Sequence, residues 1–398
     1  MEQFDLVIVG GGISGLSLAQ MVASQPNNPR VAVLEKASHP GGAIQSVRLD
    51  NNFWMELGTH TAYNSYGGMI SMMEARGVMD KLLARNKVPW LFWENAKTRT
   101  VTSKLHWLEL ALSLPRGFFT NKDGLTVEQY FTRLLGRKNF QEVLGPMVGA
   151  VTSQDASAFP AEMLFKKRPR RKDIRRSYTL EGGLQTATDA MATSPGVTFV
   201  PNCEVIEIRE IKGEVEIKTN GATYRASTFG LATQPLAGAA LMQKTFPAVA
   251  EPLAKMGHTQ AETVGVVVNK SDTPLPVLAG LVGGDRSFYS VVSRDTVDHP
   301  NLRGFAFHFR TGLDDAGKDE RIAAVTGVPR NQWAHRMTKS NPLPAPVVGH
   351  QALVATLDKS LTGTRLLVTG NYFSGLALED CVARSASEAE RFKLMGEK

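Results

Sequence analysis

The first thirty-five residues limit what this chain can fold into more than any other stretch. An apolar run of strand length, Asp5-Leu-Val-Ile-Val, ends directly in Gly10-Gly11-Gly12-Ile13-Ser14-Gly15, and an amphipathic helical pattern (Leu16, Leu18, Ala19, Met21, Val22) follows. A second apolar strand, Arg30-Val-Ala-Val-Leu, ends on Glu35. Strand, glycine turn, helix and strand make a βαβ unit. Gly10 permits the tight turn, Gly12 lets the main chain approach a pyrophosphate, and Gly15 lets the helix pack closely on the strand. The helix N-terminus offers unpaired N–H groups and a positive dipole end. Glu35 lies twenty residues beyond Gly15, where a carboxylate can accept hydrogen bonds from a ribose. The glycine pattern alone would be weak. With the strand before it, the helix after it and the acid at this distance, it predicts dinucleotide binding.

A chain of 398 residues exceeds one small core and predicts two or three domains. No apolar run approaches the ~20 residues that span a bilayer. No basic segment or cleavage site precedes the first strand, so the expectation is a cytoplasmic protein, with peripheral membrane contact left open. Cys203 and Cys381 form neither a metal-ligand pattern nor a disulfide framework, and both are expected to be buried and reduced, with no metal site. The net charge of +7 favours anionic partners. Much of it is local: Lys166-Lys-Arg-Pro-Arg-Arg-Lys-Asp-Ile-Arg-Arg176 holds eight basic residues in eleven. A solvated loop, an anionic headgroup contact and an acidic-substrate contact all suit such a run. Nucleic acid is not expected, because no recognised nucleic-acid module accompanies the charge.

Along the chain, Lys36 to Ala43 is a turn-rich segment with a second glycine pair, Gly41-Gly42, followed by alternating patterns at 44–47 and 53–60. Residues 65–85 read as a helix, and 88–102 as a hairpin turning at Glu94-Asn-Ala-Lys. Helical patterns dominate 105–151, with Thr126 and Gln129 spaced as a capping box. Strand patterns return at 197–200, 204–211, 214–219 and 223–226; 234–257 reads as helical; and 263–268, 277–282, 288–292 and 304–309 read as a second sheet, with a helix at 319–326. The last element, Arg365 to Ala386, again runs strand, glycine turn, helix. Nucleotide-type strands at both ends and in the middle predict discontinuous domains.

Several motifs now fall in order: the N-terminal unit, Glu56-Leu-Gly-Thr-His60, Leu180-Glu-Gly-Gly-Leu184, the strand holding Val205, Phe229-Gly-Leu-Ala-Thr233, and Gly370-Asn371 through Gly375 to Asp380-Cys381. In these the chain resembles the FAD-dependent protoporphyrinogen oxidase branch of the flavin amine oxidase superfamily, over essentially its whole length. Val143 to Asp155 and Val348-Gly-His350 point to that branch. The resemblance implies an α/β fold: a Rossmann-like FAD-binding domain (1–62, 178–245, 345–398), an inserted mixed-sheet substrate domain (63–104, 246–344) and a helical subdomain (105–177).

It also implies non-covalent FAD. Gly10, Gly11, Gly12, Ile13, Ser14, Gly15, Glu35 and Lys36 would hold the ADP half, and Gly41, Gly42 and Ala43 would line the flavin side. Gly58, Thr59, His60 and Thr61 would approach the ribityl chain and ring, and Val205 would meet adenine through its backbone. Gly370 and Asn371 would belong to the same site, and Leu376 and Ala377 would begin a final helix facing the flavin, behind a Gly375 that must stay small and where a branched side chain would disfavour any positive φ. Thr59 stands where the family usually has proline, and Ala43 where a basic residue is common.

The function this implies is transfer of hydride equivalents from a cyclic, tetrapyrrole-like substrate, anionic in keeping with the basic surface, to flavin N5, with oxygen or another acceptor reoxidising the flavin. The sequence shows no Ser-His-Asp, thiol or metal constellation. His60 is the candidate for substrate contact, and Arg310, His308 and the basic run are candidates for pairing substrate carboxylates. A flavin amine oxidase or a ring desaturase is the alternative enzyme, although no aromatic pair beyond Tyr372 and Phe373 is fixed near the C-terminal turn. A prenyl-lipid-binding escort protein of the same fold is the non-enzymatic alternative.

Overall fold

The computed structural model describes all residues except 1, 51, 114, 116–119, 397 and 398. Its first sheet is built on β1 (Glu2–Val9), which is followed by α1 (Ile13–Ala23) and β2 (Val31–Leu34). The strands Val197–Val200, Val31–Leu34, Glu2–Val9, Thr223–Leu231 and Leu366–Val368 are parallel, and Glu214–Thr219 and Val205–Ile211 extend the sheet antiparallel. β1 and β2 read as continuous apolar runs because strands covered by helices on both faces bury both sets of side chains. Leu6, Leu16, Val33 and Val382 lie in the core on one face, under α1 and the C-terminal helix Leu378–Gly396; Val7, Phe229, Met242 and Leu357 lie in the core on the other. The parallel strands end together at Gly10, Glu35, Ala232 and Thr369, so their carboxyl ends open one crevice, where open α/β sheets bind ligands.

The second sheet is mixed, in the order His335–Pro344, His258–Asn269, Leu302–Phe309, Phe288–Ser293, Gly280–Gly283, Trp90–Glu94, Lys97–Thr100. One face, carrying Phe305, Phe307 and Phe309, forms a core with Ile322 and Val325 of the helix Asp315–Thr326. The opposite face meets Phe53, Met55 and Leu57 through Val267 and Ala306. This contact lays the second sheet over the crevice of the first.

Some elements differ from their sequence reading. The helix expected over 65–85 stops at Gly67–Ala75, where Gly77 takes a left-handed φ of 64°, and Leu82–Ala84 becomes a strand paired with Ser177–Leu180. The helix expected over 234–257 is two, Pro235–Met242 and Pro247–Ala254. Two elements the pattern did not suggest are the strand His335–Pro344 and the helix His350–Leu361. The strand carries Pro342 and Pro344, which only an edge position tolerates, and it pairs on one side alone. The hairpin turns where expected, with Asn95 and Ala96 both at positive φ. Thr126 and Gln129 form the capping box, with bonds of 3.0 and 3.1 Å. Both cysteines are buried and free.

Candidate active site

The glycine turn has a different steric reason at each position. Gly10 has a φ of 110°, and a Cβ there would stand 2.5 Å from Ala232 O, while one on Gly15 would collide with Gly10 O. Gly12 is different: a Cβ on it would meet no protein atom nearer than Gly42 Cα at 3.8 Å. Packing within the chain therefore does not require glycine at position 12, and the missing side chain keeps open a space beside the N-terminus of α1. That terminus has Gly12 as its cap, with no side-chain cap bond and no acid in the first turn, so its N–H groups remain available for an anion. Ile13 and Ser14 open this helix buried, and Ser14 O accepts a 2.8 Å bond from Ser385 of the C-terminal helix.

The second glycine pair lies on the first. Gly41 N donates to Gly11 O at 2.8 Å, and Gly41 bridges Gly12. Glu35 is engaged by the protein itself: its Oε2 accepts from Gly11 N at 2.7 Å and its Oε1 from Ala37 N at 2.8 Å. A carboxylate keeps further lone pairs for a ribose. Lys36 is exposed beside it. Asn202 N and Cys203 N donate to Ala37 O and Glu35 O, which brings the start of the strand at Val205 to the same end of the crevice.

At the other end, Ala43 O accepts from Thr59 N at 3.3 Å, and Gly58 packs so tightly on Ala43 O that no side chain fits. Thr61 follows, half-buried. Thr369 N donates to Leu231 O, placing Gly370 and Asn371 beside the end of the central strand. The final helix starts at Leu378, so Leu376 and Ala377 precede it instead of forming its first turn. Ala377 N lies 3.3 Å from Asp380 Oδ2, so that carboxylate already takes one of the N–H groups expected to face the flavin. Gly375 has no left-handed φ; it is small because a Cβ would collide with Asp380 Oδ2.

Over this floor the second sheet sets His308 together with Thr263, Lys339 and Asn341, three groups that no sequence motif marked. Lys339 Nζ donates to Gly42 O at 2.8 Å. Burial lowers its pKa to about 8, against the attraction of Glu56. His60 Nε2 lies 2.8 Å from His308 Nε2, His308 Nδ1 lies 3.0 Å from Thr263 Oγ1, and Asn341 Nδ2 donates to Thr263 Oγ1 at 3.2 Å and to Leu57 O at 3.3 Å. Burial pushes His308 down to about 4 and His60 well below its ordinary range, the latter also opposed by the charges of Arg85 and Lys339.

Beside His60 a cavity of about 30 Å³ is lined by Glu56, Arg85, Thr179, Arg294 and Thr296. It has room for about two water molecules. Arg294 Nη1 is buried there without a hydrogen-bond partner, as a donor to such water would be. Glu56 accepts from Ser46 Oγ at 2.6 Å and Leu184 N at 2.8 Å, yet burial outweighs these bonds and raises it to about 7.

Of the substrate candidates, the structure brings His60 and His308 together at the crevice but sets Arg310 apart. Arg310 lies over the Tyr289 ring, 4.1 Å from its centroid, in a separate cavity with Arg286 and Arg321. The basic run is not simply solvated: Lys166 and Arg168 pair with Asp380 at 3.2 and 2.7 Å, and Arg171 with Glu74 and Asp173. Tyr372 and Phe373 are buried and stacked on each other, so they wall no aromatic cage. Among the described residues, no group of three or more His, Cys, Asp or Glu could hold a metal ion, and no helix is long and apolar enough to cross a membrane.

Residues 8–75 match the NAD(P)-binding Rossmann-like domain. The chloroplastic protoporphyrinogen oxidase of Nicotiana tabacum is 30% identical over 180 residues, 42% of this chain and 32% of that protein. The coproporphyrinogen III oxidase of Staphylococcus aureus is 24% identical over 171 residues, 38% of this chain and 36% of that one. These matches span about a third of each relative's length. In fold, a crystal structure from Exiguobacterium sp. 255-15 with a provisional protoporphyrinogen oxidase assignment superposes with a TM-score of 0.79 over 99% of both chains, at 17% identity. Putrescine oxidase does so with a TM-score of 0.73, at 15% identity, over 98% of this chain and 99% of that one. By its fold and these sequence matches, the chain resembles the protoporphyrinogen oxidase branch of the flavin amine oxidase superfamily.

Proposed function

We propose that the chain binds FAD non-covalently in the crevice and is an oxidoreductase that passes hydride equivalents from a cyclic, tetrapyrrole-like substrate to it, with oxygen or another acceptor restoring the oxidised state. The observation that carries this reading is the pair of stacked glycine turns with an open Gly12 beside an uncapped helix N-terminus. That arrangement fits a pyrophosphate. Bound FAD supplies the hydride acceptor. The chain's own part is to position and to exclude water. Gly10 to Gly15 and Glu35 hold the nucleotide end, residues 41–43, 58–61 and 370–377 form the floor of the ring end, and Lys339 and His308 roof it.

The domain limits 1–62, 178–245 and 345–398 for the FAD-binding part belong to the same proposal. So does an anionic membrane as a peripheral partner, supported by the exposed Trp107, Leu108 and Leu112 on one short helix and by the exposed basic residues of 166–176. A fatty acid isomerase shares the fold at a TM-score of 0.75, so fold alone does not name the reaction. The buried Tyr372–Phe373 pair speaks against amine oxidation.

The test is an absorbance scan of the purified protein. It should be yellow, release its flavin on acid precipitation, and bleach anaerobically with protoporphyrinogen or coproporphyrinogen but not with putrescine. A colourless protein that takes up no added FAD would overturn the cofactor and favour the lipid escort. Bleaching by putrescine alone would overturn the substrate class.

A further inference from the structure

The four polar side chains over the crevice fix one another's hydrogens. Leu57 O can only accept, so the Asn341 atom 3.3 Å from it is the amide nitrogen, which also donates to Thr263 Oγ1. A hydroxyl has one hydrogen, and among the described residues the acceptor that Thr263 Oγ1 meets is His308 Nδ1 at 3.0 Å. His308 Nδ1 is then unprotonated, its proton sits on Nε2, and that N–H donates across 2.8 Å to His60 Nε2. His60 Nε2 therefore accepts, and the proton of a neutral His60 is on Nδ1.

We propose that Asn341, Thr263 and His308 are positioning residues that run as a one-way hydrogen-bond chain and lock His60 in its Nδ1–H form, so that His60 gives a hydrogen bond in the pocket and is not the base of the reaction. Charging either ring would break the chain: a second proton on His60 sets an N–H against the Nε2–H of His308, and a second proton on His308 sits on Nδ1, where it meets the hydroxyl hydrogen of Thr263. The groups around the pair add to this: Arg85 and Lys339 both disfavour a charged His60, Arg294 lines the same cavity, and Glu56 is the one acid among its described lining residues. The desolvation of both rings acts in the same direction.

The inference rests on the proposed function only for what His60 faces. The protonation pattern is read on the chain itself, so a protein that bound no FAD would end that reading and leave this one standing.

The experiment is nitrogen NMR of the full chain, as purified and loaded with FAD, labelled at histidine and assigned with His60→Gln and His308→Gln. The expected result is His60 protonated at Nδ1 and His308 at Nε2, both neutral from about pH 6 to 8. Asn341→Asp replaces the donor at the head of the chain by an acceptor of the same shape. The buried carboxyl keeps its proton toward Leu57 O and offers Thr263 an acceptor; Thr263 then donates to it, His308 must donate from Nδ1, and His60 moves its proton to Nε2. Thr263→Ser should keep the parent pattern, and Thr263→Val should lose the single form. A merely structural contact would move none of these signals. His60 protonated at Nε2 in the parent, an imidazolium near neutral pH, or an unchanged pattern in both Asn341→Asp and Thr263→Val would overturn the proposal. Were Thr263→Val not to fold, the parent spectrum and Asn341→Asp still decide it.

Discussion

Glu35 is the residue whose meaning changed most between chain and structure. As the acid after the second strand it reads as a ribose acceptor, yet both its oxygens already brace backbone N–H groups of Gly11 and Ala37. Glu35→Ala therefore removes a support of the glycine turn as well as a ligand contact. Hydrogen bonds to a charged group contribute about 1.5 to 3 kcal/mol, so FAD affinity should fall roughly 10- to 100-fold with the fold retained. Fluorescence titration with FAD and a circular dichroism spectrum check this, and equal affinity would make Glu35 a strand-end residue only. Glu56 makes a pH prediction. Its carboxyl rises from an ordinary 4.5 to about 7 in the folded protein. Below 4.5 both folded and unfolded chains hold the proton. Between the two values only the folded chain does, so stability falls as pH rises through this window and stays reduced above it, on the order of 3 kcal/mol. Glu56→Gln keeps an acceptor for Leu184 N and cannot ionise. Relative to the parent, it should gain melting temperature at pH 8 compared with pH 5; the same difference at both values would refute the shift.

At the scale of elements, the C-terminal turn is held by protein contacts that its sequence does not reveal. The motif around Gly375 reads as a close approach to the cofactor, whereas Asp380 is the atom group against it, itself gripped by Lys166 and Arg168 of the basic run. Gly375→Val should thus displace Asp380, free the basic run and lower flavin content together, leaving the second sheet folded. Trypsin cleavage within 166–176, flavin absorbance and circular dichroism read the three effects. Full flavin content with unchanged cleavage would mean that this turn neither caps the site nor depends on Asp380. The capping box at Thr126 was legible because its bonds span three residues, while the edge strand 335–344 was not, because two prolines disguise a strand that needs hydrogen bonds on one side only.

For the whole molecule, the question is what holds the second sheet over the first. Lys339 donates from the edge strand to Gly42 O, a charged bond between segments 297 residues apart. Lys339→Met should keep both cores folded but loosen the second glycine turn. Hydrogen exchange at residues 41–44 should rise several-fold and FAD affinity should drop, with global melting little changed. Unaltered exchange there would show that the packing of Phe53, Met55 and Leu57 on Val267 and Ala306 suffices to seat the sheet.

The sequence by itself determined the βαβ unit, the acid at Glu35, the second glycine pair and the general order of strands and helices. Each of these is written in short-range physics: periodicity of burial, turn stereochemistry and the free N–H groups of a helix start. Only the tertiary structure decided that His60 meets His308, that Lys339 and Asn341 reach the crevice, that Arg310 belongs to another cavity, and that the basic run grips Asp380. His60 and His308 are 248 residues apart. No local pattern encodes such a pairing, because it follows from the register of one sheet laid across the carboxyl ends of another.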